Sequence, residues 1–106
     1  MRQTFKGVYG KTQTLEVTDT AQILEDVATL DFGDYPPIGL LLTCESNDIR
    51  YAFRVNPTAS FGHVLKKDIP VEFFGPLAAK MRVINDTAQS DGVLMITPIY
   101  EPGKYS

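Results

Sequence analysis

The chain has 106 residues, ten basic and thirteen acidic side chains, and a net charge of −3. That length suits one domain, since a separate core needs roughly 50 residues, and 43% hydrophobic content with 10% aromatics is too apolar for a disordered chain. No basic run exceeds Lys66-Lys67, which argues against binding a nucleic-acid backbone, where several clustered cations must release counterions.

Cys44 is the single cysteine. Neither an intrachain disulfide nor a zinc site built on several thiolates can form, and in its apolar segment Cys44 reads as a small core residue. No apolar stretch approaches the roughly 20 residues of a membrane-crossing helix. The opening Met1-Arg2-Gln3-Thr4 lacks the apolar segment of a secretory signal. The chain is therefore expected to be made and kept in a cytoplasm, unless it leaves inside an assembly.

Residues 3–9 and 12–18 suit two strands separated by Gly10-Lys11, and the intervening glycine predicts a hairpin. Asp19 or Thr20 could cap a short helix over residues 21–28, with Ile23, Leu24 and Val27 on one stripe. Two turns hold only if they pack, so a short strand or a loop is the competing expectation. Residues 31–37, rich in Asp, Gly and Pro, form a loop.

Residues 38–44, IGLLLTC, are nearly all apolar. That run fits a strand buried on both faces or one lying at a subunit contact. After the polar turn at residues 45–48, Ile49, Tyr51, Phe53 and Val55 alternate with Arg50, Ala52, Arg54 and Asn56. Period two marks a strand with one buried and one wet face. Asn56-Pro57 stops the ladder, because proline has no N–H and disfavours helix before it. Gly62 admits unusual backbone angles, and a further strand starts at His63.

Ile69, Val71 and Phe73 alternate again, and Pro70, which cannot donate to a ladder, implies that this strand lies at a sheet edge or begins irregularly there. Gly75-Pro76 closes it. Residues 79–84 and 93–100 are expected to form a last pair of strands, joined by a polar linker. The sum is seven or eight short strands with turn signals between them, which predicts an all-β antiparallel sandwich, possibly of jelly-roll type, over residues 1–106.

Chemistry-bearing groups are sparse. His63 is the only histidine, whereas metal-binding jelly rolls of the cupin type use two or more; it is expected to pin the turn at residues 57–62. Ser46, Ser60 and Ser90 lie in no strand–serine–helix elbow that could serve a hydrolase triad. Asp31, Asp34, Asp86 and Asp91 do not match the spacing of a twelve-residue calcium loop. Gly7, Gly10 and Gly33 form no phosphate cradle. No catalytic, cofactor-binding or metal-ligating residue is assigned, and the chain is not expected to be an enzyme. Adjacent apolar residues at Leu40-Leu41-Leu42, Phe73-Phe74 and Ile99-Tyr100 put hydrophobic groups on both faces of a strand. Either the chain's own loops cover the surplus, or a neighbour does.

Ile49-Arg50-Tyr51, then 56–60 (NPTAS), then Gly62-His63-Val64-Leu65 resemble a family of small β-sandwich structural proteins of tailed bacteriophages and prophages. Met81-Arg82-Val83-Ile84, residues 92–100 and the opening of residues 18–24 are similar to further pieces of that pattern, so the likeness spans residues 15–100. Val55-Asn56 stands where the pattern has Asp-Gly. The resemblance implies a non-enzymatic virion protein, above all a capsid decoration or cement protein. Its implied partners are other virion proteins (the major capsid, tail or connector protein) and copies of itself. With the apolar surplus, it places contact residues at Phe5, Val8, Tyr9, Leu40, Leu41, Leu42, Tyr100 and Tyr105. The competing expectations are a head–tail or tail-associated module whose Tyr35 or Phe61 stacks on a glycan or receptor, and a cupin-like enzyme with His63 as ligand.

Overall fold

The computed structural model describes residues 7–33, 35–75, 78–86 and 91–102. Phe5 and Tyr105, expected at a contact surface, and Asp34 and Ser90 lie outside them. The described residues form nine short strands: β1 (Val8–Tyr9), β2 (Gln13–Val17), β3 (Gln22–Ile23), β4 (Gly39–Glu45), β5 (Ile49–Ala52), β6 (His63–Leu65), β7 (Val71–Phe74), β8 (Arg82–Asn85) and β9 (Gly92–Tyr100). Single 3-10 turns occupy Leu24–Asp26 and Ala78–Lys80. The protein is all-β.

The strands build two antiparallel sheets. In the first, β1 and β2 share one edge of β9, followed by β4 and then β7; in the second the order is β3-β8-β5-β6. Alternation along each strand sends one set of side chains between the sheets. Leu15 and Val17, Leu94 and Ile96, and Leu40, Leu42 and Cys44 face inward from the first sheet and meet Ile49, Leu65 and Val83 from the second. The result is a β-sandwich with one continuous core.

Of the expected hairpin of residues 3–9 and 12–18, the described part, from residue 7 on, does not pair with itself. Val8 and Tyr9 pair with Tyr100 and Ile99, whereas Gln13–Val17 pair with Ile96 back to Gly92, so both segments run the same way along β9. Between them Gly10-Lys11-Thr12 opposes only Thr97 and Pro98, one residue extra, as in a bulged edge strand. Pro98 has no N–H to offer, and its carbonyl accepts from the Gly10 N–H at 2.8 Å. With β1 and β2 counted as one broken strand, the sandwich has eight strand positions.

Three more expectations are corrected. The short helix at residues 21–28 is replaced by β3 and one 3-10 turn, which no side chain caps. The Leu24 N–H instead donates to the Met81 carbonyl at 3.0 Å, tying the segment to the start of β8. The segments at 79–84 and 93–100 do not pair with each other, because β8 and β9 lie in different sheets. Finally, the alternation from Ile49 outlasts its strand: β5 ends at Ala52, and Arg54 turns the chain with a left-handed φ of 70°.

Gly39 is required by close approach. A Cβ there would stand 2.5 Å from the Phe73 carbonyl oxygen and 2.9 Å from the Phe74 ring. Overfilling a packed contact costs about 1–3 kcal/mol. Gly39→Ala should therefore lower the unfolding free energy by that amount and bring the urea midpoint down with it; an unchanged midpoint would mean that β4 and β7 are not held so tightly together.

Candidate functional site

The outer face of the first sheet is a small apolar field with a polar border. Side chains that alternate with the core residues project from it in cross-strand rows. One row is Glu16, Val93 and Glu45; the next is Thr14, Met95 and Thr43; Leu41 follows, opposite Thr97 and Glu72. Val93, Met95 and Leu41 are half-buried, and Glu16 and Glu45 are exposed. Tyr9 leaves β1 and crosses the sheet to β7, where its phenol donates to the Glu72 carboxylate at 2.6 Å. Thr12 and Thr97 share a hydroxyl–hydroxyl bond of 2.6 Å beside it.

A second surface surrounds the β5–β6 connection. The chain peels away after Ala52, leaving Phe53 and Val55 exposed, and returns through Phe61 and Val64, also exposed. Phe61 is the most open of these, at 56%. The loop is not slack. Thr58 and Phe61 exchange backbone hydrogen bonds of 2.9 and 3.2 Å, and the Arg50 guanidinium donates to the Gly62 carbonyl at 2.9 Å. Gly62 has φ of 127°, and a Cβ there would press on the Tyr51 carbonyl and Pro57, so the turn needs glycine. Arg82 reaches over from β8 to Asn56 at 2.9 Å.

Phe53 forms a ridge between two depressions. On one side a cavity of about 540 Å³ is lined by Val55, Ser60, Phe61 and His63 among others. On the other, one of about 480 Å³ is walled by Ile23, Glu25, Asp26, Arg54, Lys80 and Arg82. Lys80 is held by Glu25 at 2.7 Å, whereas Arg54 has no partner among the described residues.

The charges of the two sheets are sorted by sign. Strand residues of the first sheet include Glu16, Glu45 and Glu72 and no basic side chain; those of the second include Arg50, Arg82 and His63 and no acidic one. Arg50 is neutralised by Asp86 at 2.7 Å. Glu16 and Glu45 have no partner among the described residues. The outer face of the first sheet thus carries the uncompensated carboxylates Glu16 and Glu45, whereas on the second Arg82 is the outward cation that no carboxylate pairs among the described residues.

Of the expected contact residues, Leu40 and Leu42 are fully enclosed and Tyr100 is 3% exposed, with its hydroxyl donating to the Phe32 carbonyl. Their apolar surface is used inside this chain, because the register of β4 on β9 points Leu40 and Leu42 at the opposite sheet. Val8 and Leu41 are half-buried and Tyr9 is exposed. Ile99, expected with Tyr100 to be surplus, is buried too. Among the described residues no three His, Cys, Asp or Glu side chains converge on a point where a metal could sit. Among the described residues no hydrogen bond from His63 pins its turn; its ring lies against Tyr51, 5.3 Å between centroids. Ser60 bonds to Thr58 rather than to His63.

Sequence reasoning missed Phe53 and Val55 as surface groups, while Arg54, set on the wet face, is exposed as expected. The alternation from Ile49 put both the phenylalanine and the valine in the core. Pro57, only two residues beyond Val55, was the signal that the ladder could end early.

The Tyr9–Glu72 bond makes a testable titration. Hydrogen bonding to Glu72 first, then partial burial and the carboxylate charge, raise the Tyr9 phenol above its ordinary value. The protonated form is the one favoured by folding, so this contribution is present below the unfolded value and lost as pH rises through the folded one. Difference titration of tyrosinate absorbance should show Tyr9→Phe removing a late-titrating group, and Glu72→Gln shifting it to lower pH. A Tyr9 signal unmoved by Glu72→Gln would contradict the bond.

No protein-family model, no curated protein and no solved structure matches the chain.

Proposed function

We propose that this protein is a non-enzymatic structural component of a bacteriophage particle, a capsid decoration or cement protein that works through protein–protein contacts. The observation that carries this reading is the exposed apolar group of Phe53, Val55 and Phe61, on a loop held rigid by Arg50 and Gly62, with Val64 on β6 beside it. Exposed hydrophobic clusters with a polar rim mark interaction surfaces, and a preorganised loop loses little entropy on docking. The outer face of the first sheet offers a second such surface. Strand order supports the setting: with β1 and β2 as one position, the sheets read 1-8-3-6 and 2-7-4-5, the order of a jelly roll, an architecture used by viral capsid domains and by lectins. That last step is analogy of fold.

Exposure of Tyr35 and Phe61 beside shallow depressions favours a second reading, a tail-associated or connector module that stacks these rings on a glycan or receptor. Mass spectrometry of purified particles from an induced host strain should find the protein at a copy number comparable to other structural proteins. Its absence from mature particles would overturn the virion reading. Glycan binding abolished by Phe61→Ala or Tyr35→Ala would select the second.

A further inference from the structure

We infer that copies of this chain associate face to back, the β5–β6 loop of one seated on the outer face of the first sheet of the next. The occupant is argued from charge. The receiving face has Val93 flanked by Glu16 and Glu45 on neighbouring strands, with Met95 beyond and Leu41 further along. Both carboxylates are exposed and have no partner among the described residues. The incoming surface presents the apolar side chains Phe53, Val55 and Phe61 with Arg54 set between the first two. Arg54 is likewise unpaired among the described residues, and its left-handed backbone, φ 70°, fixes it at the bend. An apolar ridge bordered by a cation thus meets an apolar field bordered by carboxylates.

Burying the phenylalanine and valine side chains supplies the driving force. The charges set orientation and oppose the alternatives: two outer faces of the first sheet would bring Glu16 and Glu45 against their own copies, and two loops would oppose Arg54 to Arg54. Because the two patches differ, the contact is heterologous. Its repetition closes a ring where the rotation permits and otherwise extends a chain. The inference does not rest on the virion reading, since association would occur in purified protein with no particle present.

Sedimentation of the full chain over a range of concentrations tests it. The wild type should show reversible, concentration-dependent association that weakens as salt rises, since exposed charges are screened. Arg54→Glu alone and Glu16→Lys/Glu45→Lys alone should each weaken association on the order of tenfold or more. A mixture of these two variants should co-assemble with the two alternating, because the reversed loop of one suits the reversed face of the other and the remaining loop and face are those of the wild type. Circular dichroism and unfolding midpoints of each variant verify that the fold is kept. A wild type that stays monomeric throughout, or variants that fail to complement while remaining folded, would overturn the inference.

Discussion

Everything in this sandwich depends on the pairing of β4 with β9. Seven residues of β4 are in register with β9, from Gly39 opposite Ile99 to Glu45 opposite Val93. That register sends Leu40, Leu42, Leu94 and Ile96 inward together, and all four are fully enclosed. Each such side chain contributes about 1.5–3 kcal/mol, against a net stability of about 5–15 kcal/mol for an ordinary domain. A one-residue slip would turn the whole set to solvent. The other strands of the first sheet are then placed by what β9 and β4 leave open: β7 on one side, and the bulged pair β1 and β2 on the other.

The same register decides which groups reach the surface. With the leucines inward, Glu45, Thr43 and Leu41 must face out, and β9 must present Val93 and Met95 beside them. The second sheet follows the same alternation, with Ile49 and Val83 inward and Arg50 and Arg82 outward. The sorting of strand charges by sign is therefore a consequence of alternation, which turns Glu16 and Glu45 outward on the first sheet and Arg50, paired with Asp86, and Arg82 outward on the second. A separation of this kind contributes little within one molecule, where the sheets are a core's thickness apart and the exposed charges are screened.

Much of the fold was legible in the sequence because period-two patterning and turn residues are local properties. The strand at residues 38–44, the one starting at Ile49 and the one around Val71 and Phe73, the edge position signalled by Pro70 and the glycine at Gly62 all followed from them. What could not be read was partnership. Gly10-Lys11 looks like a hairpin turn, but it is a bulge whose form is set by Pro98, some ninety residues away. The two final strands look like a pair, yet their linker carries the chain from one sheet to the other. The contact surface was read with the opposite error. Leu40 and Leu42 were expected at an interface because the run is apolar on consecutive residues, but only Leu41 lies on the outer side. Phe53 and Val55 were placed inside because their alternation continued past the point where the strand ends.

Hydrogen exchange measured on dilute and then concentrated protein tests the central claim most directly, since it reads the spine and the surfaces together. Amides of β4 and β9 should be the slowest to exchange at either concentration, opening only with the whole fold. Amides of the β5–β6 loop and of the β2 edge should gain protection as concentration rises. Fast exchange in β9, or a loop whose protection ignores concentration, would contradict the account.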